Sequence, residues 1–187
     1  IDRCEATVAS IIQAGGDATA LPFDVTDGEE VANAVEGIGT IDILINNAGI
    51  PESMESTQFV EMTNDSWRKY VDLNLYGVLH CTQAVVRGMC EGRWGRVITI
   101  SSGLGVIGLN VGMSLYAAGK GAAIAFMRHL ASEVAAKGVT ANSVALGPME
   151  RPRPAREAET MTQRVPVGRL GTPDDVGSFC IYLASPE

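Results

Sequence analysis

Tyr116 and Lys120 stand four residues apart at the start of a segment that reads as a helix from about Ser114 to Lys137. That spacing puts the phenol and the ammonium on one helix face. A buried ammonium beside a phenol favours the phenolate and draws the tyrosine pKa down from about 10. A tyrosine tuned in this way passes a proton to or from an oxygen near neutral pH. Ser102 ends the strand-like run at 96–101, and its hydroxyl is placed to hydrogen-bond the same oxygen. A tyrosine and a lysine at this spacing also occur together by chance on protein surfaces, so the pair alone leaves both readings open.

Between Ser102 and Tyr116 lies Gly103-Leu104-Gly105-Val106-Ile107-Gly108, a literal G-x-G-x-x-G after a strand. A phosphate-binding loop needs a helix to open at the third glycine and an acid about 20 residues on to hold the ribose. Here Leu109-Asn110-Val111-Gly112 is poor helix sequence, and the first acid afterwards, Glu133, lies deep inside the next helix. The glycines instead predict a substrate-side loop that brings Ser102 and Tyr116 together.

The elements that must position these groups alternate. Helical patterns cover 2–14, 27 to about 37, about 65–90, 114–137 and 173–184, with a short helix near 156–163. Strand patterns cover 18–23, 41–46, 96–101 and 139–145. The alternation predicts an α/β fold, a doubly wound parallel sheet with helices on both faces, in one domain over 1–187. Polar and glycine residues follow each strand, at Asp24-Val25-Thr26-Asp27, Asn46-Asn47-Ala48-Gly49, Ser101-Ser102-Gly103 and Leu146-Gly147-Pro148. In a parallel sheet all of these lie along the carboxyl edge, where such folds bind ligands.

Composition narrows the function classes. The 187 residues are 46% hydrophobic and only 5% aromatic, with a net charge of −8. An acidic chain lacks the basic face that nucleic acid or an anionic membrane requires. No apolar run approaches the ~20 residues needed to span a bilayer. Cys4, Cys81, Cys90 and Cys180 are scattered and read as small apolar residues of a reducing, cytoplasmic compartment. His80 and His129 are far apart, and no cluster of ligand residues suggests a metal site. The chain opens inside one helical pattern and stops just after another, so both ends read as cut.

The chain resembles the short-chain dehydrogenase/reductase family, in its look most of all 3-oxoacyl-(acyl carrier protein) reductases. The resemblance rests on NNAG at 46–49, LNLYG at 73–77, GRVITISS at 95–102, YAAGK at 116–120 and VTANSVALGP at 139–148. It implies a Rossmann-like fold and hydride exchange between NAD or NADP and a carbonyl/alcohol pair. By position it implies that Tyr116 is the acid/base and that Ser102 orients the substrate oxygen. Lys120 would lower the tyrosine pKa and, with Tyr116, contact the nicotinamide ribose. Asn74 would hold a water that links Lys120 to solvent. Asp24 and Val25 match adenine contacts, Asn47, Ala48 and Gly49 the adenosine-ribose floor, and Gly147 and Met149 the stretch against the nicotinamide.

The same resemblance marks departures. The family's N-terminal T-G-x-x-x-G-x-G unit and its last strand are absent from these 187 residues. The family places that N-terminal strand between those at 18–23 and 41–46. Leu146 stands where the family has proline, and Arg151 where it has a threonine that contacts the nicotinamide amide. Arg93 and Lys137 match basic positions that in the reductases face an acidic carrier protein. The small residues of 114–137, Ala117 to Ala125, predict close packing of a partner helix and a homodimer or homotetramer. The rival reading from another class is a non-catalytic chain that keeps its helices as an assembly surface; the intact Asn-Ser-Tyr-Lys set favours the enzyme.

Overall fold

In the computed structural model the described residues are 2–50 and 55–186. Three apolar runs pair in a parallel sheet with the order β1 (Ile43–Asn46), β2 (Gly95–Ser102) and β3 (Val139–Leu146). The register sets Asn46 beside Thr99 and Ser102 beside Leu146, so the carboxyl ends of all three strands share an edge. Parallel strands need crossovers, and here helices supply them. They are α1 (Asp2–Gln13), α2 (Gly28–Ile38), α3 (Asn64–Val71), α4 (Gly77–Gly92), α5 (Ser114–Val134), α6 (Ala155–Thr162) and α7 (Pro173–Ala184).

The two faces of the central strand divide the core, because side chains alternate along a strand. Val97 faces Val85 and Met89 of α4 and Met127, Leu130 and Val134 of α5. Ile98 and Ile100 face Cys180 of α7, with Val176 and Leu183 packed around it. The expected helices on both faces are therefore present. Polar groups also join the layers. Buried Asn46 donates through Nδ2 to Thr82 Oγ1 at 3.2 Å and Thr99 Oγ1 at 3.3 Å, linking β1, α4 and β2. Arg96 donates to the carbonyls of Ser185 at 3.1 Å and Pro186 at 3.4 Å, fixing the end of α7 to the base of β2.

Helix ends follow the sequence signals. Asp27 accepts hydrogen bonds from the amides of Glu29 and Glu30 at the start of α2. Thr172 and Asp175 form a reciprocal capping box on α7, with Pro173 in the first turn. α3 starts at Asn64, after Thr63 in an extended conformation. Gly138 ends the α5 region at φ 76°, and a side chain there would strike the Arg93 carbonyl.

One expectation fails for a physical reason. The strand expected at 18–23 does not form; the segment carries no ladder pairing, and Leu21 and Phe23 are exposed. Ile43 and Ile45 of β1 are exposed as well, and β1 has no other strand neighbour among the described residues. A strand exists through its partner's hydrogen bonds, so apolar alternation alone cannot make one. The small residues of α5 also serve this chain's own packing. A side chain at Gly119 would meet Asn74 Cβ at 2.9 Å and the Tyr70 carbonyl at 3.1 Å, and Ala123 is fully buried. Within this chain the close neighbours of α5 are α3, the turn after it and the loop after β2.

Candidate active site

The helix expected over 65–90 is interrupted between α3 and α4 by one wide turn, Asp72–Tyr76, whose hydrogen bonds run i to i+5. Turns of this kind commonly sit at functional sites. Here the turn carries Asn74, which is 0% exposed. Its Nδ2 donates to the Tyr70 carbonyl at 3.0 Å, while Oδ1 is buried without a partner. A buried acceptor left unpaired is costly, which marks the atom as one meant to be met by something else.

Lys120, one turn into α5, is 4% exposed, and its Nζ donates to the Ile100 carbonyl at 2.8 Å. Lys120 Nζ and Asn74 Oδ1 both crowd the position that a side chain on Gly49 would occupy. Glycine is therefore required at the end of the segment that follows β1. The sheet edge, the wide turn and α5 converge here. Ser101 adds a contact that sequence reasoning missed: its Oγ donates to the Lys120 carbonyl at 3.1 Å and holds α5 against β2. The signal for it was strand alternation, which turns Ser101 and Ser102 to opposite sides.

Tyr116 is buried, and Lys120 Nζ lies 5.9 Å from its ring centroid. The Ser102 hydroxyl is near enough to the Tyr116 phenol to lower its pKa, and it accepts from the Leu104 amide at 3.2 Å. So the three groups named from the sequence are brought together. Their electrostatics differ from expectation. Burial pushes the Tyr116 phenol above its ordinary value, while the Ser102 hydroxyl and the Arg151 charge pull the other way. Burial also draws the Lys120 pKa down to about 8.

That value has a consequence for stability. Below about 8 both folded and unfolded states hold the Lys120 proton, and burial of the charge is paid in full. Between about 8 and its ordinary 10.5 the unfolded chain binds more protons, so stability rises with pH across that window. The span corresponds to on the order of 3 kcal/mol. Lys120→Met is expected to be most stable relative to the parent protein at about pH 7, with the advantage shrinking by about pH 10. Urea denaturation of both proteins at the two pH values checks this; a difference independent of pH would contradict it.

The glycine-rich stretch is a loop that opens no helix at its third glycine. Gly103–Gly105 is a single tight turn, and the next helix opens only at Ser114. A side chain at Gly105 would meet the Gly121 amide nitrogen at 2.8 Å, so this glycine lets the loop backbone lie directly on α5. Gly108 faces open space. The rest of the loop is fastened from outside, by Thr57 N to Gly112 O at 2.9 Å and Ser56 Oγ to Val111 O at 2.6 Å. Between loop and clasp lies a cavity of about 250 Å³, lined mainly by apolar residues such as Phe59, Leu104, Ile107 and Leu109.

The remaining sequence-named residues occupy the same edge. Asp24 is exposed and folds its carboxylate onto Thr26, accepting from the amide and the hydroxyl at 2.8 Å each, which lowers its pKa. Val25 is half-buried, and its carbonyl lies 3.1 Å from His80 Nδ1. Asn47 is exposed and Ala48 lines a small cavity of about 150 Å³ with Phe23 and Val25. Gly147 is exposed, while Met149 pairs with Gly171 in an isolated parallel bridge. Among the described residues no cluster that could hold a metal ion occurs. None of their helices is long and apolar enough to cross a membrane.

The sequence and the fold are similar to those of known proteins. The sequence model described as short chain dehydrogenase matches residues 1–162. A 3-oxoacyl-[acyl-carrier-protein] reductase of Vibrio harveyi is 38% identical over 182 residues, covering 92% of this chain and 72% of the relative. A 3-oxoacyl-[acyl-carrier protein] reductase of Brucella melitensis, solved with NAD bound, superposes with a TM-score of 0.89 at 30% identity, over 98% of this chain and 71% of that one. The ElxO structure with NADP bound superposes with a TM-score of 0.83 at 28% identity, over 90% of this chain and 71% of that one. With a parallel sheet that gathers asparagine, serine, tyrosine and lysine at its carboxyl edge, and with a family match over most of its length, this chain belongs to the short-chain dehydrogenase family.

Proposed function

We propose that the protein is an NAD(P)-dependent oxidoreductase that interconverts a carbonyl and a secondary alcohol. The observation that carries this is the convergence of Ser102, Tyr116 and Lys120 beside the unpartnered Asn74 Oδ1. The orphaned acceptor and the space kept open by Gly49 fit a site completed by ligand and water. NAD or NADP, when bound, supplies the hydride. Tyr116 and Lys120 would hold its nicotinamide ribose, Gly147 and Met149 would lie against the nicotinamide, Asn47, Ala48 and Gly49 would floor the adenosine ribose, and Asp24 and Val25 would contact the adenine.

In this reading the protein's own part is to hold the substrate oxygen and move one proton. Ser102 donates a hydrogen bond to that oxygen. Tyr116 gives its phenolic proton to it in reduction and takes it back in oxidation. Both hydrogen bonds strengthen as negative charge builds on the oxygen, so they favour the transition state over the bound substrate. Lys120 stabilises the resulting phenolate, and Asn74 Oδ1 anchors the water through which Lys120 recovers a proton. The raised phenol pKa keeps Tyr116 protonated before the reaction, as a proton donor must be.

Reduction of 3-oxoacyl thioesters is the substrate class to try first. Arg93 and Lys137 support it: the Arg93 guanidinium reaches the Ala136 carbonyl at 3.5 Å, which sets both exposed cations side by side at one end of the molecule, as an acidic carrier would require. Assembly into a homodimer or homotetramer belongs to the same reading, and the exposed Phe179, Ile181 and Tyr182 of α7 support it. The test follows NADH and NADPH oxidation by the full protein with 3-oxoacyl thioesters, simple ketones and oxidised sugars, alongside light scattering. Turnover with none of these carbonyl compounds would refute the reading.

A further inference from the structure

Arg151 differs from Arg153 and Arg169, two arginines of the segment after β3, because both of those are engaged. Arg153 has a side chain only 5% exposed; it donates to the Met149 carbonyl at 2.8 Å, pairs with Glu157 at 3.4 Å and touches the Met161 sulfur. Arg169 is locked to Asp175 by bonds of 2.6 and 2.9 Å. Arg151 is exposed and has neither hydrogen bond nor ion pair among the described residues. Its backbone position is nevertheless well held. The Glu150 amide donates to the Gly171 carbonyl at 2.8 Å, the Gly171 amide to the Pro148 carbonyl at 3.0 Å, and Arg153 grips Met149 from the other side.

The free guanidinium lines an open cleft of about 690 Å³ together with Glu150, Thr162 and Leu170. Leu146 at the end of β3 lies beside Ser102 in register, so Arg151, five residues on, leaves the sheet at the edge that carries Ser102 and Tyr116, and its charge acts on the phenol. Glu150 shares the cleft, and its charge is felt at Arg169. In a chain with a net charge of −8, this is a fixed cation with no partner beside the proposed proton donor. The guanidinium fork matches a carboxylate in two parallel hydrogen bonds.

We propose that Arg151 binds a carboxylate of the substrate, so that the protein acts on carbonyl or hydroxy compounds bearing an acid group within a few bonds of the reacting carbon. This rests on the oxidoreductase reading but not on the thioester class: a 3-oxoacyl thioester has no free carboxylate, so acids are preferred over thioesters as well as over esters. The carboxylate would fix the orientation of the reacting carbon between Ser102, Tyr116 and the cleft. A neutral ester of the same shape would bind without that anchor.

Two measurements on the full protein test it. In the first, phenylglyoxal modifies accessible arginines and mass spectrometry follows the rate at Arg151. Acetoacetate and 4-oxopentanoate are expected to slow that rate, whereas their ethyl esters and NADPH alone leave it unchanged. Equal protection by acids and esters, or no protection, would overturn the proposal; so would protection by NADPH alone, which would make Arg151 a cofactor phosphate contact. In the second, Arg151→Gln is expected to lower kcat/KM for the acids by roughly 10- to 100-fold, with the esters changed less than about threefold. Arg151→Lys should recover part of the loss. A fall of equal size for acids and esters would count against it. If neither acids nor esters are turned over, the oxidoreductase reading suffers, and the protection experiment still decides whether Arg151 holds a carboxylate.

Discussion

Tyr116→Phe is expected to lower kcat by roughly 10²- to 10⁴-fold, the range over which a positioned proton donor accelerates a reaction. The substitution removes only the phenolic oxygen. The ring that fills the space beside Lys120 remains, so folding and the fit of α5 on β2 should be preserved. Loss of the phenol also releases the Ser102 hydroxyl, which keeps its Leu104 partner. NADPH affinity, followed by fluorescence in the full protein, is expected to change only a few-fold. Turnover near that of the parent protein would rule out Tyr116 as donor. Collapse of both affinity and thermal stability would instead mark it as a packing residue.

Gly105→Ala is expected to impair both stability and turnover. Its new methyl group would lie 2.8 Å from the Gly121 nitrogen and 3.0 Å from the Lys120 carbonyl carbon, both backbone atoms that cannot rotate away. Overpacking of this kind costs about 1–3 kcal/mol. Relief requires the loop to lift from α5, which separates Ser102 from Tyr116. A displacement of about 1 Å in a catalytic pair costs on the order of 10²-fold in rate. Gly108→Ala is the matched control, because nothing lies within 4 Å of its side-chain position. Thermal denaturation and kcat for the two variants separate the outcomes; equal behaviour would show that the Gly105 contact is not what joins the loop to the helix.

The contrast between these glycines shows what could be read from sequence and what could not. Helix spacing was enough to put Tyr116 and Lys120 on one face, and apolar runs were enough for β2 and β3, which are paired along their lengths. Residues 18–23 have the same kind of pattern without the neighbour, and pairing is not encoded in the strand itself. Asn74 could be singled out only through the family resemblance, because its isolation comes from the wide turn that holds it, from the Tyr70 carbonyl and from Gly49, which is distant in sequence. The direction of the Tyr116 shift was misread for a related reason. Spacing shows which charge is near, whereas the depth of burial that outweighs it depends on everything packed around the site. Arg151 appeared first as a defect in a familiar pattern, and its freedom became visible only once Arg153 and Arg169 were seen to be occupied.

The close contact of Gly105 on Gly121 divides the segment between Ser102 and Tyr116 into two parts with different duties. Residues 101–105 and 114–121 form a rigid mount for the reacting groups. Residues 106–113 extend from it, with Val106, Ile107 and Leu109 exposed; Val106 and Ile107 bond back to the Gly103 carbonyl, and Val111 and Gly112 are fastened to Ser56 and Thr57. Such an arrangement is modular: the outer part can change length or side chains while the mount stays in place. Selectivity for the apolar portion of a substrate can therefore drift in evolution, or be rebuilt by loop grafting, without each change having to re-establish the proton-transfer geometry.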